Sequence, residues 1–138
     1  MRVGDLPGLH EDRRLAAVNA ELPVLDAAEM MTERGIGALV ALSEGQMVGI
    51  FTERDLMRRV VAARRDPART HVAEVMTASV RPVTLDDSVD HCLSVMREGG
   101  FRHLPVVDAG GEPFAMLSQR DFLVQNAGDA MRAFGTCR

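Results

Sequence analysis

Two short motifs pair a hydroxyl side chain with an aspartate three residues later: Thr52-x-x-Asp55 and Ser118-x-x-Asp121. This spacing is typical of a capping box at the start of a helix. A carboxylate there can also accept hydrogen bonds from the two vicinal hydroxyls of a ribose, and backbone N–H groups at a helix start suit a phosphate. The motifs therefore predict either two helix caps or two sites for a ligand that carries ribose and phosphate.

Positive charge for a phosphate would have to come from nearby arginines, because the formal net charge is −4 and the chain has no lysine. Arg54 and Arg120 lie inside the two motifs, and Arg102 with His103 begins an apolar run in the second half. The planar fork of a guanidinium matches phosphate oxygens in pairs. Each arginine could equally form a surface ion pair, and His103 could be a packed polar residue at a strand end. These four residues are candidate ligand-binding residues.

The motifs belong to an internal repeat with an offset of about 65 residues. Apolar positions spaced i, i+3, i+4, i+7 predict one amphipathic helix in each half. Gly35 and Gly100 follow these helices and are the expected left-handed C-caps. The paired helix positions are Val24, Ala27, Ala28 and Met31 in the first half and Val89, Cys92, Leu93 and Met96 in the second.

Each half also contains three apolar segments typical of strands, with a turn between the last two and a second helix after them. A short helical turn is predicted over His71–Thr77, between the halves. Residues 1 to about 14 and 129–138 are predicted to be loosely attached ends. The predicted strands are Ala16–Val18, Ala38–Leu42 and Met47–Phe51 in the first half, and Val80–Val83, Leu104–Val107 and Pro113–Leu117 in the second.

The order of these elements is β-α-β-β-α in each half, which predicts an α/β fold of the α+β type. The two repeats are expected over residues 15–66 and 71–128. A unit of about 60 residues buries only about 60% of its surface and is marginally stable alone. The repeats should therefore pack on each other with pseudo-two-fold symmetry.

Over residues 15–126 the chain resembles a tandem pair of CBS domains, also called a Bateman module. The resemblance is carried by the link Val75-Met76-Thr77, by Arg102-His103-Leu104-Pro105-Val106, and by Gly49-Ile50-Phe51-Thr52-x-x-Asp55. It implies clefts between the copies that bind adenosine-containing ligands, and modules that pair into homodimers. In such sites Thr52 or Ser118 would face phosphate or ribose, and Asp55 or Asp121 would hold the ribose; Thr77 and Pro105 lie in the matched segments and join the candidate site.

Adenine would need an apolar slot, which Ile36 and Ala38 could help to line; the alternative is that they are ordinary core residues. The basic run after Asp55 is interpreted as a solvated helix face, and the alternative is a surface for an anionic partner. It consists of Arg58, Arg59, Arg64, Arg65 and Arg69.

We therefore expect a stand-alone regulatory sensor that binds AMP, ATP, NAD(H) or S-adenosylmethionine as a ligand, with no catalytic cofactor, and modulates an unknown partner protein. The alternative is a ligand-free interaction module in which both motifs are only helix caps. An enzyme subunit that uses the nucleotide chemically has less support, since the sequence lacks a P-loop, a nucleophile elbow, a dinucleotide glycine fingerprint and a His-Glu-x-x-His helix.

Composition excludes several other classes. A sequence pI of about 5.5 without Tyr or Trp argues against a nucleic-acid binder. The longest stretch free of charged residues, Gly35–Ser43, is nine residues, too short to span a membrane. The N-terminus lacks the apolar block of a secretory signal. Cys92 and Cys137 show no metal-ligand spacing, so no metal site is expected. A reduced cytoplasmic setting with Cys92 as a small buried hydrophobe is the simplest interpretation.

Overall fold

The computed structural model describes residues 1–6 and 15–124. These fall into two compact units: the first unit is residues 15–80, and the second unit combines residues 1–6 with residues 81–124. Each unit contains helices packed on a small sheet, so the chain has an α+β fold with two repeats. None of the helices in the described residues is long and apolar enough to cross a membrane.

The first unit has a three-stranded sheet in the order β1-β2-β3. Strand β1 pairs in parallel with β2, and β2 pairs antiparallel with β3. Helix α1 ends at Gly35, whose φ of 62° is left-handed, as the sequence predicts. The elements are β1 Ala17–Asn19, α1 Val24–Arg34, β2 Ala38–Ser43, β3 Gln46–Thr52, α2 Glu53–Asp55, its continuation as a π-helix over Leu56–Val61, and α3 Val72–Val75.

The second unit repeats the helix and hairpin. Helix α4 ends at Gly100 with a left-handed φ of 70°, which confirms the other predicted cap. Strands β4 and β5 form an antiparallel pair that is followed directly by helix α5. The elements are a 3-10 turn at Val3–Asp5, α4 Val89–Gly99, β4 His103–Val107, β5 Pro113–Ser118 and α5 Gln119–Val124.

The strand predicted at Val80–Val83 is wrong: only an isolated bridge forms there, between Val83 and Val106. In the first unit, the Val40 N–H donates to the Ala16 carbonyl at 2.9 Å and extends the parallel pairing. The residue 65 positions after Val40 is Pro105, which has no N–H to donate. The second unit therefore lacks the counterpart of this hydrogen bond, and the parallel pairing does not extend to the residues before Val83.

The prediction of a loosely attached N-terminus is wrong for residues 1–6. Val3 is fully buried and Leu6 is 4% exposed, and both belong to the core of the second unit. The Val3 N–H donates to the Asp87 carbonyl at 2.8 Å, and the Met1 carbonyl accepts from the Val89 N–H at 2.8 Å. Apolar burial and a contact at the start of α4 thus fix this segment. The remaining predicted ends, residues 7–14 and 129–138, lie outside the described residues.

The same local design occurs at the start of both halves of the chain. In each turn the side-chain carboxylate accepts from a backbone N–H three residues earlier: Asp5 from Arg2 at 3.1 Å and Glu74 from His71 at 2.7 Å. The two apolar residues of the second turn, Val72 and Val75, lie in the core of the first unit. Those of the first turn, Val3 and Leu6, lie in the core of the second unit. Each core is therefore completed by the turn at the start of the other half of the chain.

Candidate functional site

Asp55 lies where β3 ends and α2 begins. The Thr52 hydroxyl oxygen accepts from the Asp55 backbone N–H at 3.1 Å, and Asp55 Oδ2 accepts from the Thr52 N–H at 3.1 Å. The Glu53 N–H also donates to the Gly37 carbonyl at 3.0 Å, which ties the helix start to the residue before β2. The helix-cap interpretation of Thr52-x-x-Asp55 is confirmed, while its role in ligand binding stays a prediction.

Thr77 meets the same carboxylate from the end of the first unit. Its backbone pairs with Ile50 of β3 through two hydrogen bonds, of 3.0 and 2.8 Å. Its hydroxyl donates to Asp55 Oδ1 at 3.1 Å, with Oδ2 at 3.4 Å. Gly49 makes this approach possible, because a Cβ at that position would lie 2.7 Å from the Thr77 carbonyl oxygen. The structure thus brings Thr52, Asp55 and Thr77 together.

The Asp55 carboxylate keeps unused acceptor capacity. It is nearly buried, with 8% of its side chain exposed. An ionised carboxylate offers about four acceptor positions on its two oxygens. Only two donors of the described residues, the Thr52 N–H and the Thr77 hydroxyl, make hydrogen bonds to it. A small ligand with adjacent hydroxyl donors could therefore bind to the same carboxylate without displacing the cap.

Arg59 lies at this site, although the sequence predicts that it belongs to a solvated helix face. Its Nη1 donates to the carbonyl oxygens of Val75 at 3.2 Å and Met76 at 2.9 Å. Its Nε lies 3.8 Å from Asp55 Oδ1, an ion pair rather than a hydrogen bond. The i, i+4 spacing from Asp55 was the available signal for this contact.

The corresponding motif of the second unit lies at the junction of β5 and α5. The Ser118 N–H donates to Asp121 Oδ2 at 2.7 Å, and Asp121 is 7% exposed. His103 faces Ser118 in the β4–β5 register, and the Gln119 N–H donates to the Arg102 carbonyl at 3.2 Å. The structure therefore brings Arg102, His103, Ser118 and Asp121 to one end of the β4–β5 hairpin.

For the remaining candidate ligand-binding residues, the structure gives position and burial. Ala38 is buried on β2 in register with Thr52, and the half-buried Ile36 packs against the core of the first unit. Pro105 is buried on β4, two residues along from His103. Arg54 is half-buried and Arg120 is exposed, each next to the aspartate of its motif. Ligand contact by these residues stays a prediction.

Two titratable groups outside the motifs have shifted pKa values. The hydrogen bond from the His71 N–H, helped by the Arg65 guanidinium, lowers the pKa of the exposed Glu74 carboxyl. Burial, helped by the Asp87 carboxylate, raises the pKa of the Cys92 thiol to about 11. Cys92 is a fully buried free thiol, as the sequence predicts. The residues that the structure describes contain no cluster of three or more His, Cys, Asp or Glu side chains able to hold a metal ion.

Comparison with known proteins identifies the repeat. The family model of the CBS domain matches residues 3–62 and 72–127. A 17.7 kDa protein of Acidianus ambivalens is 36% identical over 109 residues, which are 78% of this chain and 65% of that protein. This chain thus spans just under two thirds of that curated relative.

Solved structures agree with the repeat. A protein with CBS domains from Burkholderia ambifaria is 37% identical, with a TM-score of 0.85 over 94% of this chain and 96% of that chain. The CBS domain pair of protein MJ0100, solved in complex with 5′-methylthioadenosine and S-adenosyl-L-methionine, has a TM-score of 0.77 over 94% of this chain and 98% of its own. It is 22% identical, so that likeness concerns the fold alone.

Proposed function

Since this chain belongs to the CBS-domain family, with two copies in tandem, we propose that it binds an adenosine-containing ligand at its two Thr/Ser-x-x-Asp motifs. The bound ligand regulates a partner protein by favouring one set of conformations. Such regulation requires the ligand to have different affinities for the two conformational states. The adenosine ligands of the MJ0100 domain pair support this choice of ligand class.

The observation that carries the proposal is the Asp55 carboxylate. It is nearly buried, fixed by two hydrogen bonds, and able to accept more. A charged acceptor held in this way suits the vicinal hydroxyls of a ribose. Ile36 and Ala38, which belong to the loop and strand beside Thr52, supply apolar surface for an adenine in the first unit.

The motif of the second unit suits a phosphate better. The position of Gly37 is taken there by the exposed Arg102, and Glu53 is replaced by the uncharged Gln119. The exposed Arg120 directly precedes the buried Asp121, and Arg102 directly precedes β4 at the same end of the hairpin. We therefore assign ribose recognition to Asp55 and Asp121, and phosphate recognition to the arginines of the second unit.

The competing function is a ligand-free interaction module. The capping box at Thr52 and Asp55 favours it, because this hydrogen-bond pair accounts for the motif without a ligand. Thermal denaturation against AMP, ATP, NAD(H), 5′-methylthioadenosine and S-adenosylmethionine separates the two functions. A ligand at 100 times its dissociation constant adds about 2.7 kcal/mol, which raises the melting temperature of a chain of this size by roughly 5–10 °C. Unchanged melting curves across the panel would favour the ligand-free module.

Substitution by asparagine tests the residue assignment without removing the cap. An asparagine side chain still accepts a hydrogen bond from a backbone N–H but lacks the charge and the second carboxylate oxygen. We expect Asp55→Asn and Asp121→Asn to keep most of the stability of the unliganded protein and to weaken ligand binding about tenfold or more at their own site. If both variants bind as tightly as the unchanged protein, the aspartates serve only as caps.

The proposal also covers the role of the ligand, the oligomeric state of the protein and its cellular compartment. We assign the ligand a regulatory role with no turnover, and nucleotide conversion by the purified protein would contradict this. We also assign a homodimer, to be checked by light scattering, and an unidentified regulated protein as partner. A reducing compartment such as the cytoplasm suits the buried free thiol of Cys92.

A further inference from the structure

Arg59 joins two parts of the first unit that are far apart in sequence. It projects from the π-helix that follows Asp55, and about half of its side chain is exposed. From there its guanidinium reaches the carbonyl oxygens of Val75 and Met76, 16 and 17 residues later, and also faces the Asp55 carboxylate. A surface arginine of a solvated helix face needs none of these contacts.

Arg59 also holds the segment that leads into Thr77. The segment that Arg59 holds runs directly into Thr77, whose hydroxyl donates to Asp55 Oδ1 at 3.1 Å. Asp55, Thr77 and Arg59 are therefore linked in a ring that the Met76–Thr77 peptide bond closes: Thr77 and Arg59 both face the Asp55 carboxylate, and Arg59 holds the carbonyl of the residue before Thr77. Such a ring determines which lone pairs of the carboxylate remain available to a ligand.

We infer that Arg59 is a positioning residue for ribose recognition: by bridging Asp55 and the carbonyl oxygens of Val75 and Met76, it fixes the carboxylate and Thr77 in the orientation that a vicinal diol needs. This inference rests on the proposed function and names a further residue of the same site. Arg59 itself touches the protein groups and not the ribose. It therefore acts on the discrimination between ligands with and without the diol.

The test measures that discrimination by isothermal titration calorimetry with adenosine and 2′-deoxyadenosine as probes. It uses the full chain with Asp121→Asn, which weakens the site of the second unit, so that the site of the first unit dominates the titration. A hydrogen bond to a charged group corresponds to roughly tenfold or more in affinity. We expect adenosine to bind at least tenfold more tightly than 2′-deoxyadenosine, and Arg59→Gln to reduce this ratio to within about twofold of one. Arg59→Lys, which keeps the charge but loses the planar fork, should give an intermediate ratio.

Arg58→Gln is the matched control, because Arg58 is an exposed arginine on the same π-helix. It should leave the ratio unchanged. If Arg59 had only a structural role, Arg59→Gln would weaken both probes equally and leave the ratio intact, which overturns the inference. Loss of all binding in the Asp121→Asn chain, with binding by the unchanged chain, also overturns it. Failure of the unchanged chain to bind adenosine overturns this inference, and unchanged melting curves across the nucleotide panel would overturn the proposed function as well.

Discussion

Val3 should stabilise a part of the chain that begins about 80 residues after it. Its side chain is fully buried in the core of the second unit, with Val83 and Leu104 among the members of that core. Val3→Ala removes two methyl groups, about 0.8 kcal/mol each. A cavity of roughly 40 Å³ would add about 1 kcal/mol. The expected loss in the free energy of unfolding is therefore about 2–3 kcal/mol.

Calorimetry and hydrogen exchange measure this effect and locate it. An unfolding entropy of about 2.1 cal/mol/K per residue converts the loss into a drop of roughly 7–10 °C in melting temperature, if the whole chain unfolds cooperatively. Amide protection should fall first in α4 and the β4–β5 hairpin. Val72→Ala provides the crossed comparison, because Val72 is equally buried in the core of the first unit. In the Val72→Ala protein, amide protection should fall first in β1, β2 and β3.

Leu25→Ala is the control, since 42% of Leu25 is exposed and the substitution should change the free energy of unfolding by about 0.5 kcal/mol or less. A Val3→Ala protein with the melting temperature of the Leu25→Ala control would refute the role of residues 1–6 in the second core. So would a loss of protection confined to the sheet of the first unit.

Three further predictions concern single positions. Gly49→Ala should destabilise the first unit by about 1–3 kcal/mol in chemical denaturation, because its Cβ would lie 2.7 Å from a backbone carbonyl oxygen; Gly110→Ala, which meets nothing closer than 3.4 Å, should not. Cys92 should resist alkylation at pH 8 in folded Cys137→Ser protein, and rapid labelling of the native protein would contradict its burial. Because the pKa of its thiol rises from about 9 to about 11 on folding, the free energy of unfolding should fall as the pH rises from 9 to 11. Pro105→Val should supply an N–H to the Arg81 carbonyl, seen as a slowly exchanging amide at residue 105; fast exchange there would refute the explanation of the missing strand.

The elements that the sequence predicts correctly are those whose cause is local. Helices α1 and α4 follow from apolar spacing, and each ends at a glycine because the next backbone conformation is left-handed. The strand at Val80–Val83 was wrong because its pairing depends on a donor in β4, and Pro105 removes that donor. The burial of Val3 was missed although a signal existed. An apolar-x-acid-apolar pattern precedes both repeats, and comparing the two copies would have revealed it.

The predictions for the candidate site divide in the same way, into contacts with a local cause and contacts without one. Thr52 and Asp55 are neighbours along one strand-to-helix junction, so spacing alone predicts their contact. Thr77 entered through resemblance to a family, and its contact with Asp55 depends on the approach of its backbone to β3 at Gly49. Arg59 was assigned to a solvated face because a charge run on a helix usually is one. Its ion pair with Asp55 has an i, i+4 signal in the sequence, but its hydrogen-bond partners are carbonyl oxygens of a distant segment, which no pattern within the helix encodes.

The burial of Asp55 bears directly on the choice between helix cap and ligand site. A cap requires one oxygen that accepts from one backbone N–H, and an exposed polar side chain provides this at little cost. Burying an ionised carboxylate is costly unless other groups compensate its charge. Here Thr77 and Arg59 provide that compensation, and both come from outside the capping box. A motif that serves only to start a helix needs neither of them, whereas a carboxylate that must meet ribose hydroxyls in a fixed orientation needs both. The polar ring around Asp55 therefore favours a ligand site built on a helix cap over a helix cap alone.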